Sequence, residues 1–240
     1  MAWFRKMLPI YVAALCLTLF LSVLASESVT VLTGALELGE ASTNQTVIVD
    51  PGHGGEDGGA VSPNGVPESK LNLEISLRLR DLLSFLGVRV QMTRETDCSI
   101  HSTDAQTVSE KKVSDLKNRV LLVNETPNAL LVSIHQNMFP ESKYYGTQVF
   151  YSRTAGSQEL AESMQARFST ALDETNHRMA KLAQNVYLMN QIRCPGILIE
   201  CGFLSNPREE QLLQKEAYQK KIAAVIAAEL SSTLLNSGVS

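Results

Sequence analysis

Short apolar runs alternate with longer amphipathic stretches along most of this chain. Apolar runs of four to eight residues are typical of buried strands, whereas apolar residues at three- and four-residue steps are typical of helices with one buried face. Leu71, Ile75, Leu79 and Leu83 follow the helical spacing, and Gly87 is placed to close that helix as a left-handed residue. Alternation of this kind predicts an α/β fold.

The predicted elements follow one another without an internal repeat. Strands are predicted at Thr46–Asp50, Val88–Thr93, Ala129–Ile134, Gly146–Tyr151, Val186–Met189 and Gly196–Glu200. Helices are predicted at Glu68–Leu86, Ser114–Val123 and Ser157–Glu174, and from about Arg208 onward. The run Ile197–Ile199 has no polar alternation, which is typical of a strand at the centre of a sheet. We therefore predict one domain with a mostly parallel or mixed central sheet of about six strands, flanked by helices on both faces.

The first 25 residues have a different character from the rest of the chain. Arg5 and Lys6 precede an apolar run that ends in the small-residue sequence Val23–Ser26, a pattern typical of a cleavable export signal. The run is also just long enough to cross a bilayer core, so a short membrane anchor is the alternative. We expect residues 26–44 to be a linker, residues 45–240 to be the catalytic domain, and the protein to be exported across the cytoplasmic membrane.

Charge and cysteine content narrow the possible functions. Without Arg5 and Lys6, the 21 basic residues of the chain fall to 19 against 25 acidic ones, which is a formal charge of −6. An acidic domain gives no indication of nucleic-acid binding. Beyond the leader, Cys98, Cys194 and Cys201 are odd in number and lack the spacing of a disulfide framework or a Cys-based metal site.

Four polar residues stand at the ends of predicted strands or at the start of a helix. His53 lies in a glycine-rich turn after the first strand, Glu68 opens the first helix, and His135 and Glu200 each end an apolar strand. Taken singly, each has an ordinary structural explanation. Together they match the composition of a catalytic zinc site, which uses three protein ligands and leaves one position open for water. Their spacing fits no short metalloprotease motif, so by itself it supports only a possible metal site.

Five motifs, in order, resemble a known family. They are Asp50–Gly55 (DPGHGG), Glu68 with Leu71–Leu73, Thr93–Arg94, Ser133–Asn137 (SIHQN) and Ile199–Asn206 (IECGFLSN). These residues resemble the zinc-dependent N-acetylmuramoyl-L-alanine amidases of bacterial cell walls, the amidase 3 family. The single hydrophobic N-terminal segment, the absence of wall-binding repeats and the stretch Pro140–Tyr151 are most similar to the germination-specific amidases of spore formers.

The resemblance implies a reaction and a set of residues. It implies that His53, Glu68 and His135 bind one Zn²⁺, that Glu200 is catalytic, and that zinc-activated water cleaves the amide between the lactyl group of N-acetylmuramic acid and L-alanine in peptidoglycan. In sporulating relatives this step precedes muramic lactam formation in the spore cortex, which a muramic acid deacetylase completes. The forespore intermembrane space or the cortex is then the expected location.

Three further residues are weaker candidates in the same motifs. Asn137 is expected to orient the substrate or a ligand, and Asp50 to accept a hydrogen bond from a metal-bound imidazole. Arg94 is expected either to contact substrate or to satisfy neighbouring carbonyls or carboxylates at the end of its strand.

Several alternatives stay open at this stage. A general cell-wall autolysin, a zinc peptidase acting within the stem peptide and a noncatalytic wall-binding relative share most of these features. A Cys201–His135 nucleophilic pair is disfavoured, because alternation along a strand turns Cys201 away from the face of Glu200. The glycine-rich turn as a phosphate-binding loop is the weakest alternative, since the chain lacks the G-K-[ST] ending of a P-loop.

Overall fold

The structure is a computed structural model and describes residues 44–237. The predicted leader and nearly all of the predicted linker lie outside the described residues. Across residues 44–237, no helix combines the length and the apolar character that crossing a membrane requires.

Strands and helices alternate as the sequence predicts. The strands are β1 (Thr46–Pro51), β2 (Arg89–Met92), β3 (Ala129–Asn137), β4 (Gln148–Tyr151), β5 (Lys181–Leu182) and β6 (Gly196–Phe203). The helices are α1 (Glu68–Phe85), α2 (Val108–Glu125), α3 (Ser157–Leu172), α4 (Tyr187–Gln191), α5 (Pro207–Leu213) and α6 (Glu216–Ser237).

The described strands form one mixed six-stranded sheet in the order β2-β1-β3-β6-β4-β5. The β1–β2, β1–β3 and β3–β6 pairs are parallel, whereas β4 runs antiparallel to β6 and parallel to β5. β6 lies at the centre of the sheet, as the unbroken apolar run Ile197–Ile199 predicts.

Helices cover both faces of the sheet, so the predicted fold class is confirmed. On one face, α1, α3 and α6 pack against the sheet and bury residues such as Ile75, Met164 and Ile226. On the other face, α2 and α4 bury Val123 and Met189. The sheet is therefore held between two apolar layers.

Two helix boundaries have clear local causes. After α1, Gly87 adopts a left-handed φ of 76°, and the amide of Val88 donates to the carbonyl of Leu83 at 3.0 Å, as in a Schellman ending. α2 begins six residues before the predicted Ser114, because Thr107 and Glu110 form a capping box at its start.

The strand predicted at Val186–Met189 is wrong. Residues Tyr187–Gln191 form the short helix α4, and the edge strand β5 lies earlier, at Lys181–Leu182. Leu188 and Met189 are both buried, at 4% and 1% exposure. Successive residues of a strand point to opposite faces, whereas successive residues of a helix can both reach one core.

Candidate metal centre and active site

The topology brings the predicted site residues to one edge of the sheet. β1, β3 and β6 are neighbouring parallel strands, so their carboxyl ends meet there. His135 pairs with Glu200 across β3 and β6, and Glu200 pairs with Gln148 across β6 and β4. His53 follows β1 by two residues, which places it beside this row.

His53, Glu68 and His135 surround one point. One ligand atom from each lies within 4.8 Å of the others. His53 Nε2 is 3.3 Å from Glu68 Oε2, and His135 Nδ1 is 2.9 Å from Glu68 Oε1. The Glu68 side chain is only 5% exposed, while the two imidazoles are 21% and 20% exposed, so the group faces a partly open cleft.

This donor set fits a tetrahedral metal ion. Zinc binds His nitrogen and carboxylate oxygen at about 2.0–2.2 Å, which places neighbouring donors roughly 3.3–3.5 Å apart. The 3.3 Å separation between His53 Nε2 and Glu68 Oε2 agrees with that spacing. The described residues therefore form a possible metal site with two imidazoles and one carboxylate.

The charges of these residues are strongly coupled. Burial lowers the pKa of His53, but Glu68 and Asp57 outweigh burial and raise it to about 9. Burial raises the pKa of Glu68, yet His135 and His53 bring it well below its usual range. A metal ligand must be deprotonated, so a cation bound here takes the place of the proton on His53.

Two glycines provide the space that the imidazoles and the carboxylate occupy. A Cβ on Gly52 would lie 2.2 Å from Cε1 of His135, and a Cβ on Gly59 would lie 2.6 Å from Oε2 of Glu68. Gly59 also has a left-handed φ of 69°. The backbone of the glycine-rich turn thus approaches the site more closely than any other residue type permits.

Several residues that the sequence did not single out orient the three candidate ligands. Asp57 Oδ2 is 2.9 Å from His53 Nδ1, which leaves Nε2 directed at the centre of the group. Glu68 accepts hydrogen bonds from the backbone amides of Ala60 and Gln136 and from the side-chain amide of Asn72. The sequence holds one local signal for Asn72, which follows Glu68 by four residues on α1 and so lies on the same face of that helix.

Asp50 does not make the expected bond to an imidazole in the described structure. Its carboxylate pairs with Arg119 at 2.6 Å and accepts hydrogen bonds from the hydroxyls of Thr93 and Ser133. Arg119 also donates to the carbonyl of His53 at 2.7 Å. Asp50 therefore stabilises the turn below the site, and the contact expected of it, from a carboxylate outside the three candidate ligands to an imidazole, is made by Asp57.

Arg94 and Asn137 lie at the edge of the site in different ways. Arg94 is 3% exposed and donates to the carbonyls of Pro51, Gly52 and Ser69, so it satisfies the backbone of the turn. Asn137 follows a register shift in β3, and the side chain makes no hydrogen bond with the part of the chain that the structure describes. Its proposed role in orienting substrate stays a prediction.

Glu200 sits beside the three candidate ligands with a different environment. Its Oε2 is buried and has no hydrogen-bond partner among the described residues. Burial raises its pKa to about 7, an effect that His135 opposes and Glu68 reinforces. A carboxyl group with a near-neutral pKa exchanges protons readily at physiological pH.

Cys201 points away from the site, as strand alternation predicts. It is fully buried in the apolar layer on the α1 side of the sheet. Burial holds the pKa of its thiol above the usual range, which disfavours the thiolate that a nucleophile requires. The geometry thus gives no support to a Cys201–His135 pair.

These features define a class of protein. A sheet edge with two imidazoles and a carboxylate around one point, and a further carboxyl beside them, has the composition of a metal-dependent hydrolase site. The model of the amidase 3 family, described as N-acetylmuramoyl-L-alanine amidase, matches residues 47–232. The chain belongs to this family.

Individual relatives agree with that assignment. The germination-specific N-acetylmuramoyl-L-alanine amidase of Bacillus subtilis is 40% identical over 185 residues, covering 77% of each chain. Among solved structures, the CwlD amidase of Clostridioides difficile, determined in complex with the GerS lipoprotein, is 40% identical with a TM-score of 0.77, over 81% of this chain and 100% of that one. An N-acetylmuramoyl-L-alanine amidase of Clostridium difficile 630 is 33% identical with a TM-score of 0.68, over 80% and 98%.

Proposed function

We propose that this protein hydrolyses the amide between the lactyl group of N-acetylmuramic acid and L-alanine of the stem peptide. One observation carries the proposal, namely that Glu200 stands beside the three-ligand group in a member of the amidase 3 family. A noncatalytic wall-binding relative would be expected to lose one or more of these four residues, and all four are present.

Zn²⁺ is the proposed metal, held by His53, Glu68 and His135. Imidazole suits zinc, whereas magnesium and calcium prefer sets made only of oxygen ligands. When bound, zinc supplies a Lewis acid that polarises a carbonyl and makes water a stronger acid. The His53–Asp57 contact and the hydrogen bonds to Glu68 fix the ligand orientations before a metal binds.

Glu200 is proposed to carry the proton. Its free Oε2 accepts the proton of the attacking water and passes it to the amide nitrogen as the carbon–nitrogen bond breaks. The hydroxyl of the water remains on the lactyl carbon, so the products are a lactyl carboxylic acid and a peptide with a free L-alanine amine. A carboxylate with one unpartnered oxygen can accept a proton and return it within the same site.

The proposed setting is the spore cortex, after export directed by the N-terminal segment. The similarity to the germination-specific enzyme of Bacillus subtilis supports it. There the product would be the substrate of a muramic acid deacetylase, which completes muramic lactam formation. A general autolysin is the alternative. Deletion of the gene in a spore-forming host separates the two roles, because only the cortex role predicts cells that grow normally and form spores without muramic lactam.

The bond that is cleaved can be tested directly. Zinc-loaded protein is incubated with purified peptidoglycan, and the soluble products are identified by mass spectrometry. Glycan with free lactyl groups together with intact stem peptides is the expected result. Shortened peptides still attached to muramic acid would instead identify a zinc peptidase.

A further inference from the structure

A groove of about 260 Å³ has a cationic, aromatic lining. We call it the cationic groove and define it by Lys143, Tyr144, Tyr145, His177 and Arg178. None of its lining residues is acidic, although the whole chain has a formal charge of −4. Such a local reversal of charge favours an anionic ligand.

Sheet topology places the cationic groove on the same edge as Glu200. The loop before β4 and the loop before β5 both reach this edge, because these two strands run opposite to β6. Gln148 pairs with Glu200, and its side-chain amide donates to the carbonyl of Met179 at 2.6 Å. Neighbouring strands are about 4.8 Å apart, so the backbone of β5 lies roughly two strand spacings, or about 10 Å, from that of β6, and Arg178 comes three residues before β5.

Arg178 is held in place with its charged end available. Its Nε donates to the carbonyl of Tyr145 at 2.9 Å, and its guanidinium stacks 4.8 Å from the ring centre of Phe203. Its two terminal nitrogens make no hydrogen bond or ion pair with the described residues, although its charge acts at longer range on the Glu209 carboxyl and lowers the pKa of that group against the larger effect of burial. A guanidinium fixed in this way matches a carboxylate with two parallel donors.

Lys143 and two tyrosines complete the wall. The Lys143 Nζ lies 5.3 Å from the ring centre of Tyr144, and Tyr144 stacks against Phe203, which also contacts Arg178. Tyr144 and Tyr145 are 37% and 45% exposed, unusually open for large rings. The groove thus places two cationic side chains and flat aromatic surfaces close enough together for a single extended peptide ligand to contact them all.

We infer that the cationic groove binds the acidic stem peptide of the substrate through its carboxylates, so that Arg178 and Lys143 determine specificity for that peptide. The inference rests on the proposed function. The stem peptide leaves the cleaved bond through L-alanine and next carries the free carboxylate of D-glutamate. One residue of extended chain spans about 3.5 Å, so a carboxylate two or three residues from the cleaved bond reaches Arg178. The N-acetylated glycan is uncharged and gains nothing from the two cations.

The first test measures binding without catalysis. Calorimetry on the zinc-loaded full chain compares an L-Ala–D-Glu–diaminopimelate tripeptide with the same peptide carrying carboxamides. The wild-type protein should bind the acidic peptide at least tenfold more tightly than the amidated one. Arg178→Gln and Lys143→Gln should each weaken binding of the acidic peptide by roughly tenfold and leave binding of the amidated peptide unchanged. Arg153→Gln is the matched control, because Arg153 is exposed and follows the opposite end of β4.

Several results would overturn the inference. The inference is wrong if the protein binds the acidic and amidated peptides equally well, or binds neither measurably. It is also wrong if Arg178→Gln and Lys143→Gln both leave the affinity for the acidic peptide unchanged. Binding of a peptide-free muramyl glycan that Arg178→Gln weakens would assign the groove to the sugar instead.

A second test separates this inference from the proposed function. On muropeptides, Arg178→Gln should raise KM for the acidic substrate and leave kcat almost unchanged, whereas the amidated substrate should be unaffected. Arg178→Lys should restore part of the difference. If the wild-type protein cleaved neither substrate but bound the acidic peptide selectively, the proposed function would fail and the groove would stand.

Discussion

At the scale of single residues, two glutamates on one sheet edge acquire opposite properties from their surroundings. Glu68 accepts hydrogen bonds from two backbone amides and lies against two imidazoles, which keeps it ionised. Glu200 is partly buried with its Oε2 unpartnered among the described residues, and burial raises its pKa to about 7. Divergent environments for two carboxyls are a common way to separate a ligand from a proton carrier.

The raised pKa of Glu200 predicts how the stability of the metal-free protein depends on pH. The folded state holds the proton up to about pH 7, whereas the unfolded chain releases it near pH 4.5, so stability falls as pH rises between these values. Glu200→Gln removes that cost, which is about 3 kcal/mol above pH 7. Urea unfolding should therefore show equal stabilities near pH 4 and a more stable variant at pH 8.

The control for this prediction is Glu141→Gln, at an exposed loop residue. It should give the wild-type profile throughout. A difference between Glu200→Gln and wild type that stays constant from pH 4 to pH 8 would show that Glu200 is not held protonated by its surroundings.

The sequence predicts which residues meet at the candidate site better than it predicts what supports them. His53, Glu68, His135 and Glu200 were found because each follows a strand or opens a helix and belongs to a recognisable motif. The sequence did not single out Asp57, because its contact with His53 depends on the shape of the glycine-rich turn, where His53 has a positive φ of 62°. Asn72 was not singled out either, although it lies four residues after Glu68 on the same helix. Asp50 was misplaced for a similar reason, since its partner Arg119 lies 69 residues away.

At the scale of elements, the turn between β1 and α1 is the part on which the site depends most. It carries His53, it leaves room for the ring of His135 at Gly52, and its amide at Ala60 contacts Glu68. Arg94 and Arg119 hold its carbonyls from the β2 and α2 sides of the fold. The turn is therefore bonded to α1 through Glu68, to the end of β2 through Arg94 and to α2 through Arg119.

Gly52→Ala should displace the His135 ring, since the new Cβ would lie 2.2 Å from it and Gly52 has no unusual φ. Zinc affinity should fall by about 10- to 100-fold, comparable to the loss of an outer-shell partner. Gly58→Ala in the same turn meets only the Pro67 Cβ at 3.7 Å and is the matched control. Competition with a zinc chelator measures the zinc affinity of both variants. Equal affinities would show that the space at Gly52 does not matter for zinc binding.

Arg119→Gln should destabilise the fold strongly. Arg119 is 2% exposed and pairs with Asp50 and Asp115, so the substitution leaves two carboxylates without their cation. Removing one partner of a buried ion pair costs about 3–5 kcal/mol, whereas Arg80→Gln in an exposed pair should cost at most about 1 kcal/mol. Urea unfolding compares them, and similar losses would show that the buried network contributes little.

Element prediction succeeds where periodicity is long and fails where it is short. The helix at Glu68–Phe85 has a sustained apolar face and a glycine ending, so its bounds were predicted within one residue. The apolar run at Val186–Met189 is too short to separate a strand from a helix. The two-residue strand β5 leaves no pattern at all, and the early start of α2 was signalled only by the capping residues Thr107 and Glu110.

At the scale of the whole molecule, strand direction explains why one edge of the sheet gathers the chemistry. Three parallel strands, β1, β3 and β6, deliver the turn carrying His53, then His135 and Glu200, to this edge. The reversed strands β4 and β5 bring the loops of the cationic groove to the same edge. Reaction site and proposed peptide site are thus adjacent because the sheet is mixed.

The most direct test of the central claim measures zinc content and stem-peptide release together for wild type, Glu200→Gln and His135→Ala. Wild type should hold one zinc and release peptides from peptidoglycan. Glu200→Gln should keep the zinc and lose about 10²- to 10⁴-fold in turnover, as expected for removal of a general acid–base group. His135→Ala should lose both, and near-normal turnover by Glu200→Gln would contradict the proposed division between metal ligands and proton carrier.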